Sequence, residues 1–292
     1  MTKGTFARLS DRAVIEIRGE GAAAFLAGLA TVDLSHLSPA TPRHGALLTP
    51  QGKILFDFGI HAGGDDSVLL DVAAEARDEL VKRLMFYRLR LKLDIAGRDD
   101  LAVFAAWGDD ANGALPADPR HGGLGLRGIG RLDATPHELA PGSAEGSLGA
   151  YHAHRIDCGV AEAFRDFPGS DVFPHEANLD ELHGVDFDKG CYVGQEVVSR
   201  MHHRGTAKKR FLVVEGEAEL PPMGSEIRDG ETLLGTMVSS VGRAGLALMR
   251  LDRTADAITA GRTIAAEGTT LQPRVPDWMS FSLTHTPSEK PA

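Results

Sequence analysis

Cysteine is nearly missing from this chain: Cys158 and Cys191 are the only two in 292 residues. Two thiols cannot build a disulfide framework. With no Cys-x-x-Cys, they also cannot hold a permanent all-cysteine zinc or iron–sulfur site within one chain. Long apolar runs are lacking too. No stretch approaches the roughly 18 apolar residues of a membrane span, and residues 1–6 have no apolar core of the signal-peptide kind. A positive charge excess is absent as well. The formal net charge is −10, which argues against nucleic acid and anionic membrane as partners and leaves any anionic ligand to a local basic patch. No internal repeat is evident. These absences lead to the expectation of a cytoplasmic protein, low cysteine usage fitting a reducing compartment.

What the chain does have is an apolar fraction of 42%, ample for two or three packed units at this length. Residues 9–17 alternate as a strand, and the Ala-rich stretch 22–30 reads as a helix. Residues 46–48 and 54–60 read as strands joined by the turn 49–53. The clearest helix covers 73–88, with Leu80 and Leu84 on one face. Leu alternates with Arg90, Lys92 and Asp94 over 89–95, a period-two pattern that predicts a half-exposed strand. Residues 101–107 predict a more apolar one, and 151–158 a helix. From Lys209 onward short strands are separated by Gly or Pro, the texture of a small closed β unit. Residues beyond Pro273 are expected to fray. The order points to α+β layers, with boundaries at 1–205 (split internally near 96), 206–272 and a tail at 273–292.

Chemistry concentrates in Lys189-Gly190-Cys191-Tyr192-Val193-Gly194-Gln195-Glu196. Residues 195–201 contain no helix breaker, so Gly194 reads as opening a helix with Cys191 just before its N-terminus. Lys189 would favour an ionised thiol; Asp186 and Asp188 oppose it. Against this stands the ordinary role of a lone Cys as a small buried hydrophobe. Arg200, Arg204 and the basic residues up to Arg210 form the densest positive cluster, suited either to a phosphate or poly-carboxylate or to a solvated strand start. Asp57, between Phe56 and Phe58, is either the outward position of an alternating strand or a pocket carboxylate, and alternation favours outward. Arg155 and Asp157 could form a salt bridge or a ligand clamp. His152, His154 and Cys158 lack the further ligand a metal would need, so no metal site is expected.

The octapeptide resembles the signature of the YgfZ family, folate-binding proteins that support iron–sulfur cluster assembly and repair and are related to the glycine-cleavage T-protein, an aminomethyltransferase. Leu48-Thr49-Pro50-Gln51-Gly52-Lys53 is similar to that family's hairpin, and Tyr87-Arg88-Leu89-Arg90 to its helix end. The resemblance implies ferredoxin-like α+β parts around a central folate pocket, with a small C-terminal β-barrel. It implies tetrahydrofolate or a derivative as cofactor, with Asp157 on the pterin and Arg155, Asp57, Arg200 and Arg204 among the folate contacts. It also implies Cys191 and Lys189 as the working residues, with Gly190, Tyr192, Gly194, Gln195 and Glu196 shaping their loop. The partners implied are iron–sulfur client enzymes and assembly proteins, tRNA-modifying radical-SAM enzymes among the clients, with a transient shared cluster. The alternative implied is folate-dependent aminomethyl transfer, for which Asp57 is the candidate acid.

Overall fold

The computed structural model describes residues 4–64, 66–205 and 207–283. Two sheets and a barrel organise them. The first sheet is antiparallel, in the order Arg43–Leu48, Ile54–Ala62, Ser67–Ala73, Arg12–Arg18, Asp94–Gly97. Its strands alternate, apart from a register shift at Leu47 and Leu48. Ile15, Ile17, Phe56, Phe58, Leu70 and Val72 point to one face, where the helices Ala22–Ala27 and Arg77–Arg88 bury Leu26, Leu80 and Leu84 against them. The opposite face carries Arg12, Asp57 and Asp71, and these are buried as well.

That second face is covered by the other layer. The second sheet runs Leu126–Arg131, Leu101–Trp107, Thr5–Arg8, Ala144–Glu145, and the helix Leu148–Asp157 packs beside it. Thr5–Arg8 therefore belongs to the second sheet although Arg12–Arg18 belongs to the first; of the strand expected over 9–17, residues 9–11 are the turn between the two and only Arg12 onward is strand. Residues 89–93, predicted as strand, are not one. Only Asp94–Gly97 pairs, and its last partner is Arg18, beyond which the chain turns at Gly19 and offers no edge.

Six strands from Lys209–Gly216 to Thr269–Arg274 close into a barrel, the last pairing with the first. Leu212 and Val214 fill its interior, while Phe211 and Val213 face the body of the molecule. Residues 275–283, expected to fray, instead pack on the barrel: Met279 and Leu283 join its core and Trp278 donates to the carbonyl of Cys158. The rest of the expected tail lies outside the described residues. Among the described residues, no helix is long and apolar enough to cross a membrane.

Candidate functional site

The Cys191 loop is built from two clamps. Tyr192 is buried in the core cluster that also holds Ala46, Leu48 and Val198, and Lys189 Nζ donates to the carbonyls of Ala27 (2.6 Å) and Ala30 (2.5 Å) at the end of the first helix. Between them Cys191 is exposed. Burial lowers the Lys189 pKa, its first cause, with Asp186 and Asp33 acting against it. Lys189 is therefore corrected from a cation serving the thiol to a tether whose ammonium is taken by two backbone acceptors and by the Tyr192 ring at 5.1 Å.

The helix does begin after Gly194, running Gln195–Arg204. Gly194 has φ 82°, and a Cβ there would lie 2.6 Å from the carbonyl oxygen of Thr49. The hairpin turn and the Cys191 loop thus touch backbone to backbone. A Cβ on Gly190 would meet nothing within 4 Å and its φ is ordinary, so it shapes the loop less than expected. Glu196 does not hold the loop: it projects into solvent and pairs with Arg200 one turn on, at 2.7 Å. Arg204 is exposed on the same helix.

Beneath the other face of the first sheet lies a buried ion network. Asp71 accepts from Arg12 on one oxygen (2.6 Å) and Arg127 on the other (2.7 Å). Glu162 accepts from Arg120 and Arg127, Asp118 pairs with Arg120, and Asp166 takes both terminal nitrogens of Arg155. Tyr151 Oη accepts from Arg120 and Arg127. Four guanidiniums meet four carboxylates, so each charge is compensated where water is excluded. Desolvation works against the ionised Glu162, but Arg127, Arg120 and Arg155 outweigh it and hold its pKa well below the carboxylate range.

Asp57 is the carboxyl with no guanidinium of its own. Alternation does turn it from the Phe56 side, yet that direction leads into the second layer and not to solvent, which corrects the outward reading. Its Oδ2 accepts weakly from the Ala163 amide at 3.4 Å and lies 4.0 Å from His44 Nε2, while Oδ1 is buried without a partner. Burial pushes Asp57 up to about 6 and His44 down to about 3. At neutral pH the contact is carboxylate to neutral imidazole.

A cleft of about 640 Å³ opens beside this network, lined by Asp11, Arg12, Glu162, Phe164 and Arg165 and, from the barrel, Met223. Arg155 Nε donates to His152 Nδ1, so His152 Nε2 carries the proton that it gives Asp11 Oδ2 at 2.9 Å. Burial opposes ionisation of Asp11, but the His152 hydrogen bond prevails and lowers its pKa. Its Oδ1 is buried without a partner.

None of the residues expected to contact folate, Asp157, Arg155, Asp57, Arg200 and Arg204, lines this cleft. Asp157 projects outward and bonds Arg274 at 3.0 Å; as the last residue of its helix it points away from the network. Arg155 is fully buried and its donors are taken by Asp166, Val160 and His152. Arg200, Arg204 and Cys191 sit on the hairpin side and do not line the cleft, so the thiol is reachable but not at the lip of this hollow. The sequence reading missed Asp11, Glu162 and Phe164. The acid-and-base interleaving of Glu162, Arg165 and Asp166, just past Gly159, was the one available signal.

Comparison with known proteins gives four similarities. Residues 208–281 match the family model of the CAF17 C-terminal beta-barrel domain. The chain is 34% identical over 306 residues to the human iron–sulfur cluster assembly factor IBA57, mitochondrial, covering 93% of this chain and 84% of that protein. It is 33% identical to the IBA57 homolog of Mycosarcoma maydis, covering 76% of this chain and 60% of that one. In fold it is similar to the glycine cleavage system aminomethyltransferase T of Bartonella henselae, with TM-score 0.72 and 14% identity over 95% of this chain and 87% of that one. Both relatives are named mitochondrial, which overturns the expectation of a cytoplasmic protein.

Proposed function

Because the chain belongs to the family of the IBA57 iron–sulfur cluster assembly factors, we propose that it assists cluster assembly on client enzymes by presenting Cys191 as a transient sulfur ligand. The observation that carries this reading is an exposed thiol on a loop clamped from both sides, by Lys189 and by Tyr192. Soft sulfur suits iron in clusters. One thiol offers one ligand, so a cluster in transit takes its others from the client, a second subunit or glutathione. That the clients include enzymes modifying tRNA rests on the YgfZ resemblance alone.

The cleft fits tetrahydrofolate, the cofactor the resemblance implies. Its volume lies in the range of small-molecule sites. The unpartnered Asp11 oxygen and the Glu162 carboxylate suit the donors of a pterin edge, Phe164 offers a ring, and Arg165 offers a cation for a glutamate tail. Bound there, the folate would supply one-carbon or redox chemistry. The chain's own part is to hold an ionised Asp11 through His152 and to keep Glu162 ionised within the arginine cage.

Anaerobic reconstitution with ferric iron, sulfide and glutathione, the thiol supplying any reducing electrons, tests the cysteine. Wild type and Cys158→Ser should acquire visible cluster absorption; uptake by Cys191→Ser at the same level would refute the reading. In calorimetric titration with tetrahydrofolate, Asp11→Asn should bind at least tenfold more weakly than wild type. Aminomethyl transfer remains the second reading, favoured by a buried carboxyl raised towards neutrality, Asp57, as a general acid requires. Turnover of methylene-tetrahydrofolate abolished by Asp57→Asn but kept by Cys191→Ser would establish it.

A further inference from the structure

Residues 82–92 carry five cations and no acid, in a chain whose net charge is −10. They cover the end of the helix Arg77–Arg88 and the loop after it. The helix has spent its apolar stripe on the core, where Leu80 and Leu84 are buried. Its free flank should therefore be polar. Instead Met85 is 46% exposed, Phe86 72%, Leu89 83% and Leu91 52%. Four large apolar side chains stand in water within one short segment, ringed by Lys82, Arg83, Arg90 and Lys92.

The backbone sharpens the point. Leu89 has φ 49° and ψ −111°, a conformation that a leucine adopts only under strain. The Leu91 amide bonded to the Arg88 carbonyl, and Arg88 Nη1 bonded to the Leu93 carbonyl at 2.7 Å, brace the turn around it. Strain that serves to hold an apolar side chain in solvent has no return within the fold, and such strain collects where something else binds.

We propose that residues 85–91 are a docking surface for a separate protein whose matching surface is acidic around an apolar pocket. Apolar anchors ringed by charge are the anatomy of an interface hot spot, and the cationic ring selects an anionic counterpart. A second copy of this chain is disfavoured, since two-fold pairing on this patch would set its cations against themselves. An anionic membrane is disfavoured because a broad lipid plane would also come within a Debye length of the exposed acids that flank this segment, Asp78, Glu79 and Asp94, whereas a pocketed protein interface of roughly 800 Å² per partner can set its acidic groups against the cations alone. The inference stands on this surface alone and does not depend on the role of Cys191 or of the cleft.

The test places p-benzoylphenylalanine at position 86 of the full chain in the cells that make it, with the same substitution at the exposed barrel residue Ile258 as control. Crosslinking at 86 but not at 258 should trap another protein through a peptide rich in Asp and Glu. Once purified, that protein should bind the intact chain at least tenfold more weakly when the chain carries Phe86→Glu or Arg90→Glu. Crosslinks only to a second copy or to lipid, none above the control, a trapped peptide without acidic residues, or affinity unchanged in both variants would each overturn the proposal.

Discussion

Gly52 and Gly194 meet backbone to backbone, each at positive φ, and join the hairpin turn to the Cys191 loop: a Cβ on Gly194 would lie 3.0 Å from Gly52 Cα. Gly194 cannot carry a side chain without moving the main chain of Thr49 and Gly52, and a Cβ on Gly52 would lie 2.9 Å from Val197 Cβ. Gly194→Ala should lower stability by about 2–3 kcal/mol, combining positive-φ strain with overpacking. Gly190→Ala, which meets open space, should be nearly neutral. Urea unfolding of the two variants checks the contrast; equal effects would mean that the contact is not a constraint.

Lys189→Met should loosen the loop without unfolding the protein. It strips the tether from the Ala27 and Ala30 carbonyls, a loss of about 1–2 kcal/mol. Amide hydrogen exchange should quicken across residues 187–194 while the first sheet stays protected. Unchanged exchange in that segment would show that Tyr192 alone anchors it.

Asp57 and His44 should give opposite pH dependences. Asp57, raised to about 6 by burial, contributes stability that is present below the unfolded carboxyl pKa near 4 and lost as pH rises through about 6. Asp57→Asn should therefore match wild type near pH 4 and exceed it above pH 6, by about 3 kcal/mol. His44, lowered to about 3, contributes stability present above the unfolded imidazole pKa near 6.5 and lost as pH falls towards about 3. Removing Asp57 should expose that second slope as steeper acid sensitivity between pH 6.5 and 4. Stability curves for wild type and Asp57→Asn that run parallel across this range would contradict both assignments.

The hairpin, the helix ending at Arg88, the helix start at Gly194 and the barrel texture were legible because each rests on local chemistry: period, turn residues and breakers. The buried charges were not. Alternation showed which way Asp57 points but not what covers that face, because the cover comes from Arg120, Arg127 and Glu162, far away in sequence. For the same reason Asp157 read as a ligand contact: its helix was visible, but not that Arg274 of the last barrel strand would draw it outward. The Leu-and-charge alternation after Arg88 has a strand's period but no neighbouring edge, and only the registry with Arg12–Arg18 shows where that edge ends.

Leu89→Gly should raise stability by about 1 kcal/mol, since glycine relieves the positive φ and the lost side chain is 83% exposed. A higher melting temperature than wild type is the expected result. A lower one would mean that Leu89 supports the fold.

Cys191 and Cys158 differ in the one property that matters most: Cys191 is exposed, whereas burial, reinforced by Asp157, pushes Cys158 up to about 11. The decisive measurement is the activity of several four-iron enzymes in cells whose only copy of this chain carries Cys191→Ser, set beside Cys158→Ser and a deletion. The account predicts deletion-level activity for Cys191→Ser and wild-type activity for Cys158→Ser. Wild-type activity in the Cys191→Ser cells would contradict it.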